Sequence, residues 1–406
     1  MNMAKHDQEA ALARVLVVAR GHALYGDTLV GVQRAADAPL LTKEALAERF
    51  ELMLEAGALR GGVSWSSSGG SGGKSLYFPS DPAENHEQRR RIARRLAAAG
   101  VLGPDSVMLN LFPSHSMIRS LEIFNEFAEL CGATTLPMPA NSGELRATEH
   151  ASRSAHHMAE HFGANVLAGM PSRLLDFAHD CQRFASHKFD AVLYGGEFLH
   201  PKQRESLRQR LSVDRFSAVY GGAETGIIGY AADVTDPPVY RVPRELAYIE
   251  IADPSDDGYG RLIVTNLVRL RHPLLRFDTR DLGRIVGEQD DEVLIELHAR
   301  DSDTFEFHGG YHELSRLAKV LDLYVEWQLV LDYDRTRRER ACCCLLENSI
   351  EEADEIDRLL VFLRRQLDPY GEVVVDVQLI PRNLFHSVGV SDKRPRLVDL
   401  RSVTST

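Results

Sequence analysis

The chain has 406 residues with 44% hydrophobic content, enough for two or three domains with sizeable cores, which excludes disorder on a large scale. Lys plus Arg number 47 against 59 Asp plus Glu, a net charge of -12 with no long basic run, so a broad electrostatic footprint for nucleic acid is excluded. No run of about 18 apolar residues is uninterrupted and residues 1–40 lack the pattern of a secretory signal, so the expectation is a cytoplasmic protein with no membrane partner.

The first 60 residues read as helices, among them "TKEALAERFELMLEAG", which starts at a Thr cap and stops at Gly57. Next comes "SSSGGSGGKS", residues 66–75, whose backbone amides and hydroxyls suit a phosphate. Against the Walker pattern GxxxxGK[ST] it fits at Gly73, Lys74 and Ser75 and fails at Ser68. A Walker loop needs a helix to follow, and "LYFPSDP", with Pro79 and Pro82, opposes one. Two other readings stand beside it: a Ser/Gly hairpin turn between strands that holds ATP phosphates, and a flexible linker.

From Ser106 onward, strand-like runs such as "SVMLNLF", "ANVLAGM", "DAVLYGG" and "FSAVYGG" alternate with helical patterns, the signature of a wound α/β sheet with ligands at the carboxyl ends of its strands. After Gly226 the pattern turns to strands without long helices, which predicts an antiparallel sheet. Near Arg300 a third pattern begins, with strands around the helix "IEEADEIDRLLVFLRRQL", and predicts a small α+β domain.

Two features compete for attention without supplying chemistry. "HHMAEH" sets His157 and His161 one helical turn apart, but Met158 stands where a zincin carries Glu, and an exposed helical face is expected. The five cysteines, Cys131, Cys181, Cys342, Cys343 and Cys344, form no CxxC pair and are expected to be reduced and structural.

Several stretches occur together in an order that resembles the adenylate-forming (ANL) superfamily, especially its phenylacetate-CoA ligase-like branch. "SSGGSGGKS" is similar to the family's Ser/Thr/Gly phosphate loop, with Gly70 and Ser71 where two Thr are common and Lys74 where Pro is common. "LYGGEFL" resembles the segment that approaches adenine, and "YGGAETG" resembles the YGxTE motif, with Ala223 in place of a hydroxyl residue. "GRLIVTNLVRLRHPLLRFDTRDLGRI" is the most specific match, "HARDSDTFEFHGG" is similar to the hinge segment, and "SDKRPRLVDLR" resembles the ending that carries the lid lysine.

The resemblance implies an α/β fold. A large N-terminal adenylation domain, 1–298, would carry wound α/β sheets and a small antiparallel β subdomain, and a small α+β lid domain would follow, 299–406. It implies that Ser67, Ser68, Gly69, Gly70, Ser71, Gly72 and Lys74 hold the outer phosphates, and that Gly195, Gly196, Glu197, Tyr220 and Gly221 line the nucleotide, Tyr220 by stacking on adenine. Asp281 would grip the ribose hydroxyls, with Arg300 beside it, and Glu224 would hold Mg2+ near the α-phosphate. His115 and Gly222 fall beside the carboxylate substrate, and Lys393 would bridge that carboxylate and the α-phosphate; an ordinary loop position is an equal reading for His115.

The implied reaction is ATP- and Mg2+-dependent activation of an aromatic carboxylic acid as its acyl-adenylate, with pyrophosphate released. CoA or a carrier-protein thiol would be a later acceptor. Shortened members of this kind occur in phenazine-type antibiotic pathways, which supplies an analogy for the biological setting. Two rivals remain at this point: a catalytically weak nucleotide-binding relative, suggested by Gly70, Ser75 and Ala223, and a P-loop kinase or NTPase, which would need a helix beginning at Lys74. The number of subunits is not legible.

Overall fold

The computed structural model describes residues 2–406 apart from 56, 58, 60, 69–75, 115–116, 139–148, 185–186, 301–303, 309, 335, 337, 347–353, 369–372, 388–393 and 402–406. The chain forms two compact units, one built mainly from Met1–Phe198 and Leu211–Arg300, the other from Leu199–Arg210, Asp301–Val388 and Asp392–Thr406.

The first unit opens with helices α1 (Asn2–Arg20) and α2 (Lys43–Glu55), followed by the antiparallel hairpin of β1 (Ser64–Ser68) and β2 (Leu76–Ser80). The Thr42 hydroxyl accepts the Ala45 N–H at 3.3 Å, and Gly57, at φ +70°, follows the helix end. Leu46, Phe50 and Met53 recur at helical spacing and are buried. They join Val15, Leu275 and Phe277 in one apolar cluster. Helix α3 (Pro82–Ala98) begins where Asp81 accepts the Ala83 and Glu84 N–H groups at 2.8 and 3.2 Å, with Pro at its first position.

The alternation then runs β3 (Val107–Asn110), α4 (Ser120–Leu130), β4 (Thr134–Pro137), α5 (Glu149–Phe162), β5 (Val166–Gly169), α6 (Pro171–Phe184), β6 (Ala191–Tyr194) and β7 (Arg215–Gly222); between β6 and β7 the chain forms α7 (Pro201–Leu211), which belongs almost wholly to the second unit. These strands are parallel, in the order β4-β3-β5-β6-β7, and β5 and β6 are buried along their whole length, as strands of a covered parallel sheet are. Ile92, Leu96, Phe124 and Phe127 from α3 and α4 pack with Leu193 and Val219 of the sheet.

Six further strands follow: β8 (Gly226–Ala231), β9 (Val239–Pro243), β10 (Ala247–Ala252), β11 (Gly260–Asn266), β12 (Phe277–Gln289) and β13 (Glu292–Arg300). All pair antiparallel, as expected. They continue the parallel sheet through the β7–β8 hairpin, giving eleven strands in the order β10-β11-β12-β13-β9-β8-β7-β6-β5-β3-β4. The antiparallel part therefore extends the wound sheet edge to edge, and β12 and β7 belong to one framework.

In the second unit, the hairpin of β14 (Thr304–Phe307) and β15 (Gly310–Glu313) leads to α8 (Leu314–Leu321), β16 (Trp327–Tyr333), β17 (Glu339–Leu346), α9 (Glu355–Leu367), β18 (Val374–Ile380) and β19 (Leu397–Asp399). Four of these strands form a sheet in the order β18-β17-β16-β19. Strand alternation sends Cys343 into the cluster with Leu329 and Leu363, while Cys342 and Cys344 face another with Phe385; these three and Cys131 are free and buried. His157 and His161 lie exposed on α5, and among the described residues no group of three or more His, Cys, Asp or Glu could hold a metal ion.

Candidate functional site

The Gly-rich turns lie where adjacent parallel strands end. Strand β6 leads into Gly195, Gly196 and Glu197, and its neighbour β7 ends in Tyr220, Gly221 and Gly222. Glu197 is committed: its two carboxylate oxygens accept the N–H and hydroxyl of Ser172 at 2.9 and 3.1 Å, at the start of α6. Met170, which precedes Pro171, has no side chain able to cap a helix, so this carboxylate does so from the next strand end.

Ser67 and Ser68 sit at the end of β1, facing Tyr77 and Leu76 across the hairpin, and the Ser67 N–H donates to the Met117 carbonyl at 3.4 Å. Gly69, Gly70, Ser71, Gly72 and Lys74 lie outside the described residues, as does His115. Residues 76–80 form a strand, so the helix a P-loop would require there is absent, and the kinase or NTPase alternative is withdrawn. An open groove of about 430 Å³ runs beside β1, lined by Ser64, Trp65, Met117 and Arg119.

Tyr220 and Asp281 meet across the sheet. The Tyr220 hydroxyl donates to Asp281 Oδ2 at 2.7 Å. The Asp281 N–H in turn donates to the Thr279 hydroxyl at 3.2 Å, and Arg300 pairs with Asp281 in the β12–β13 register. Behind Tyr220 stands Tyr240, with ring centroids 5.5 Å apart; burial, reinforced by Tyr194, pushes the Tyr240 phenol well above its ordinary range and keeps it neutral.

The β7–β8 turn holds Glu224 in a network that sequence reading missed. Gln88 and Asn266 side chains donate to the Thr225 carbonyl at 3.0 and 2.8 Å, and the Gly222 N–H donates to the Thr225 hydroxyl at 3.1 Å. Buried Arg269 donates to the Glu224 carbonyl at 2.8 Å, and its guanidinium is lowered to about 10, chiefly by burial, which still leaves it charged at neutral pH. A Cβ at Gly226, where φ is +67°, would fall 2.2 Å from Gln88 Oε1 and 2.5 Å from an Arg269 nitrogen, so only glycine closes this turn. Ala223, in place of a hydroxyl residue, packs against the α1–α2 cluster.

The Glu224 carboxylate forms an ion pair with Lys43, Nζ to Oε1 at 2.6 Å. Lys43 opens α2, and α2 starts where Leu41 is tied to β12 by Leu41 N–H to the Arg276 carbonyl at 2.9 Å and Asp278 N–H to the Leu41 carbonyl at 3.0 Å. The strand that carries Asp281 thus also sets the helix that carries Lys43. One sequence signal existed: a cation in the first turn of a helix opposes the helix dipole and calls for a partner elsewhere.

In the second unit, Lys393 lies outside the described residues. Its neighbours are anchored: Arg394 pairs with Glu326 at 2.9 Å, and Arg396 pairs with Asp322 at 2.5 Å and lies 4.6 Å over the Trp327 ring. Asp399 pairs with Arg401 at 2.7 Å.

No protein-family model matches the chain. A phenylacetate-coenzyme A ligase of Pseudomonas putida is 23% identical over 339 residues, covering 75% of this chain and 72% of that protein. Among solved structures, a 2-hydroxyisobutyryl-CoA ligase in the postadenylation state is similar with a TM-score of 0.75 at 15% identity, over 99% of this chain and 91% of that one. An acyl acid amido synthetase, AtGH3.15, is similar with a TM-score of 0.69 at 12% identity, over 97% and 91%.

Proposed function

We propose, on the premise that this chain is a distant member of the adenylate-forming ligases and a relative of the phenylacetate-coenzyme A ligases, that it activates a carboxylic acid with ATP. The observation that carries the proposal is Asp281 held by the Tyr220 hydroxyl at the edge where β6 and β7 end. A carboxylate fixed in this way accepts hydrogen bonds from two vicinal hydroxyls, the demand a ribose makes. The family resemblance puts an adenine on Tyr220 and the outer phosphates at the β1–β2 turn.

In this reading an oxygen of the substrate carboxylate attacks the α-phosphorus, the bond to the β-phosphate oxygen breaks, and pyrophosphate leaves. The protein aligns the reactants and neutralises charge, so no side-chain nucleophile is needed. Lys393 supplies the ammonium that pulls the substrate carboxylate toward the α-phosphate. A thiol, that of CoA or of a carrier protein, then attacks the acyl carbon and AMP leaves. We assign the carboxylate to the aromatic class and the pathway to secondary metabolism, following the sequence resemblance, and the cell compartment to the cytoplasm, in keeping with the described residues, where no helix is long and apolar enough to cross a membrane.

Magnesium, when bound, supplies positive charge to the phosphates of ATP, and Glu224 would be its protein ligand. The side chains as they stand do not fit it there: Lys43 already covers Oε1 at 2.6 Å, where a metal ion would have to bind. No step is therefore routed through a metal at Glu224. The experiment that tests the function is acid-dependent exchange of pyrophosphate into ATP across a panel of aryl and alkyl carboxylic acids.

A further inference from the structure

We propose that Lys43 is the resident cation of the site, and that its ammonium and a divalent metal ion are mutually exclusive occupants of Glu224. The inference rests on the reading that the nucleotide phosphates come to the end of β7. Its geometry stands independently of that reading. Glu224 is held at two points, its carbonyl by Arg269 at 2.8 Å and its first carboxylate oxygen by the Lys43 ammonium at 2.6 Å.

The Lys43 side chain is 20% exposed and that of Glu224 9%. A metal ion at Oε1 would have to displace an ammonium in direct contact, and one at Oε2 would be repelled by that ammonium across the same carboxylate. Nothing in α2 itself favours a cation at its first position, where the helix dipole repels it. Glu224 accounts for Lys43, and the β12 tether at Leu41 keeps the pair in register.

Paramagnetic Mn2+ binding to the full-length, nucleotide-free protein tests this by electron paramagnetic resonance. Wild type and Lys43→Arg are expected to show no Glu224-dependent Mn2+ site. Lys43→Met is expected to gain one, with affinity raised at least about 10-fold, and adding Glu224→Gln should abolish the gain. Equal Mn2+ affinity in wild type and Lys43→Met, lost with Glu224→Gln, would overturn the inference, as would a folded Lys43→Met that gains no site. Should Lys43→Met fail to fold, calorimetry of ATP binding with Mg2+ and with a chelator decides the matter. Wild type and Glu224→Gln are expected to share the same Mg2+ dependence, and loss of that dependence in Glu224→Gln would overturn the inference. A protein that binds no adenine nucleotide contradicts the proposed function instead, whereas the Mn2+ comparisons are read without nucleotide.

Discussion

Tyr220 at the end of β7 and Asp281 within β12 are 61 residues apart in the chain and joined by a 2.7 Å hydrogen bond. The bond exists because the antiparallel strands continue the parallel sheet, so that the two strand positions share one framework.

Replacing Asp281 with Ala removes the acceptor proposed for both ribose hydroxyls. AMP affinity measured by calorimetry should fall about 10- to 100-fold, the scale of hydrogen bonds to a charged group. Tyr220→Phe removes one donor to that carboxylate while keeping the ring, and should cost about 2- to 10-fold. Unchanged affinity in Asp281→Ala would remove Asp281 from nucleotide binding.

Glu197 separates a structural role from a nucleotide-binding one. Glu197→Ala leaves the first turn of α6 without its cap and should destabilise the fold by about 1 kcal/mol in urea denaturation. AMP affinity should stay within about twofold; a larger loss with no change in stability would reverse the assignment.

Much of this site is legible in the sequence, and the rest is missing for physical reasons. Pro79 and Pro82 already argued against a helix after the Gly/Ser segment, and the alternation of apolar runs with helical patterns gave the wound sheet. Alternation tells which face a strand buries but not which strand lies beside it, so the continuity of β8–β13 with β7 was hidden. Glu197 sits in a motif that suggests nucleotide contact, yet the uncapped start at Met170 and Pro171 claims its carboxylate. Arg269 and Asn266 carry no local signature, because burial and distant pairing define them, and Lys43 shows only a cation at a helix start, which does not name its partner.

His272 gives the protein an acid-sensitive core. Neither ring nitrogen has a hydrogen-bond partner among the described residues. Burial, aided by the nearby His22 and Arg271 charges, lowers the imidazole from 6.5 to about 4. The unfolded chain therefore binds the extra proton first. Stability from this group is complete above pH 6.5, falls as the pH drops toward 4, and levels off below it, a loss of at most about 3 kcal/mol. Urea denaturation at pH 7 and pH 5 should show the fall in wild type and a shallower one in His272→Gln.

Gly226 is the conformational pivot of the Glu224 turn. Gly226→Ala forces a side chain into the left-handed region and against Gln88 and Arg269, and should cost more than about 2 kcal/mol in denaturation experiments.

The central claim, activation of a carboxylic acid by ATP, is tested most directly by carboxylate-dependent exchange of labelled pyrophosphate into ATP. The wild-type protein should catalyse exchange with at least one acid of the panel, and Lys393→Ala should slow it about 100-fold or more while retaining ATP binding. Binding of ATP without exchange for any acid, or undiminished exchange in Lys393→Ala, would contradict the account.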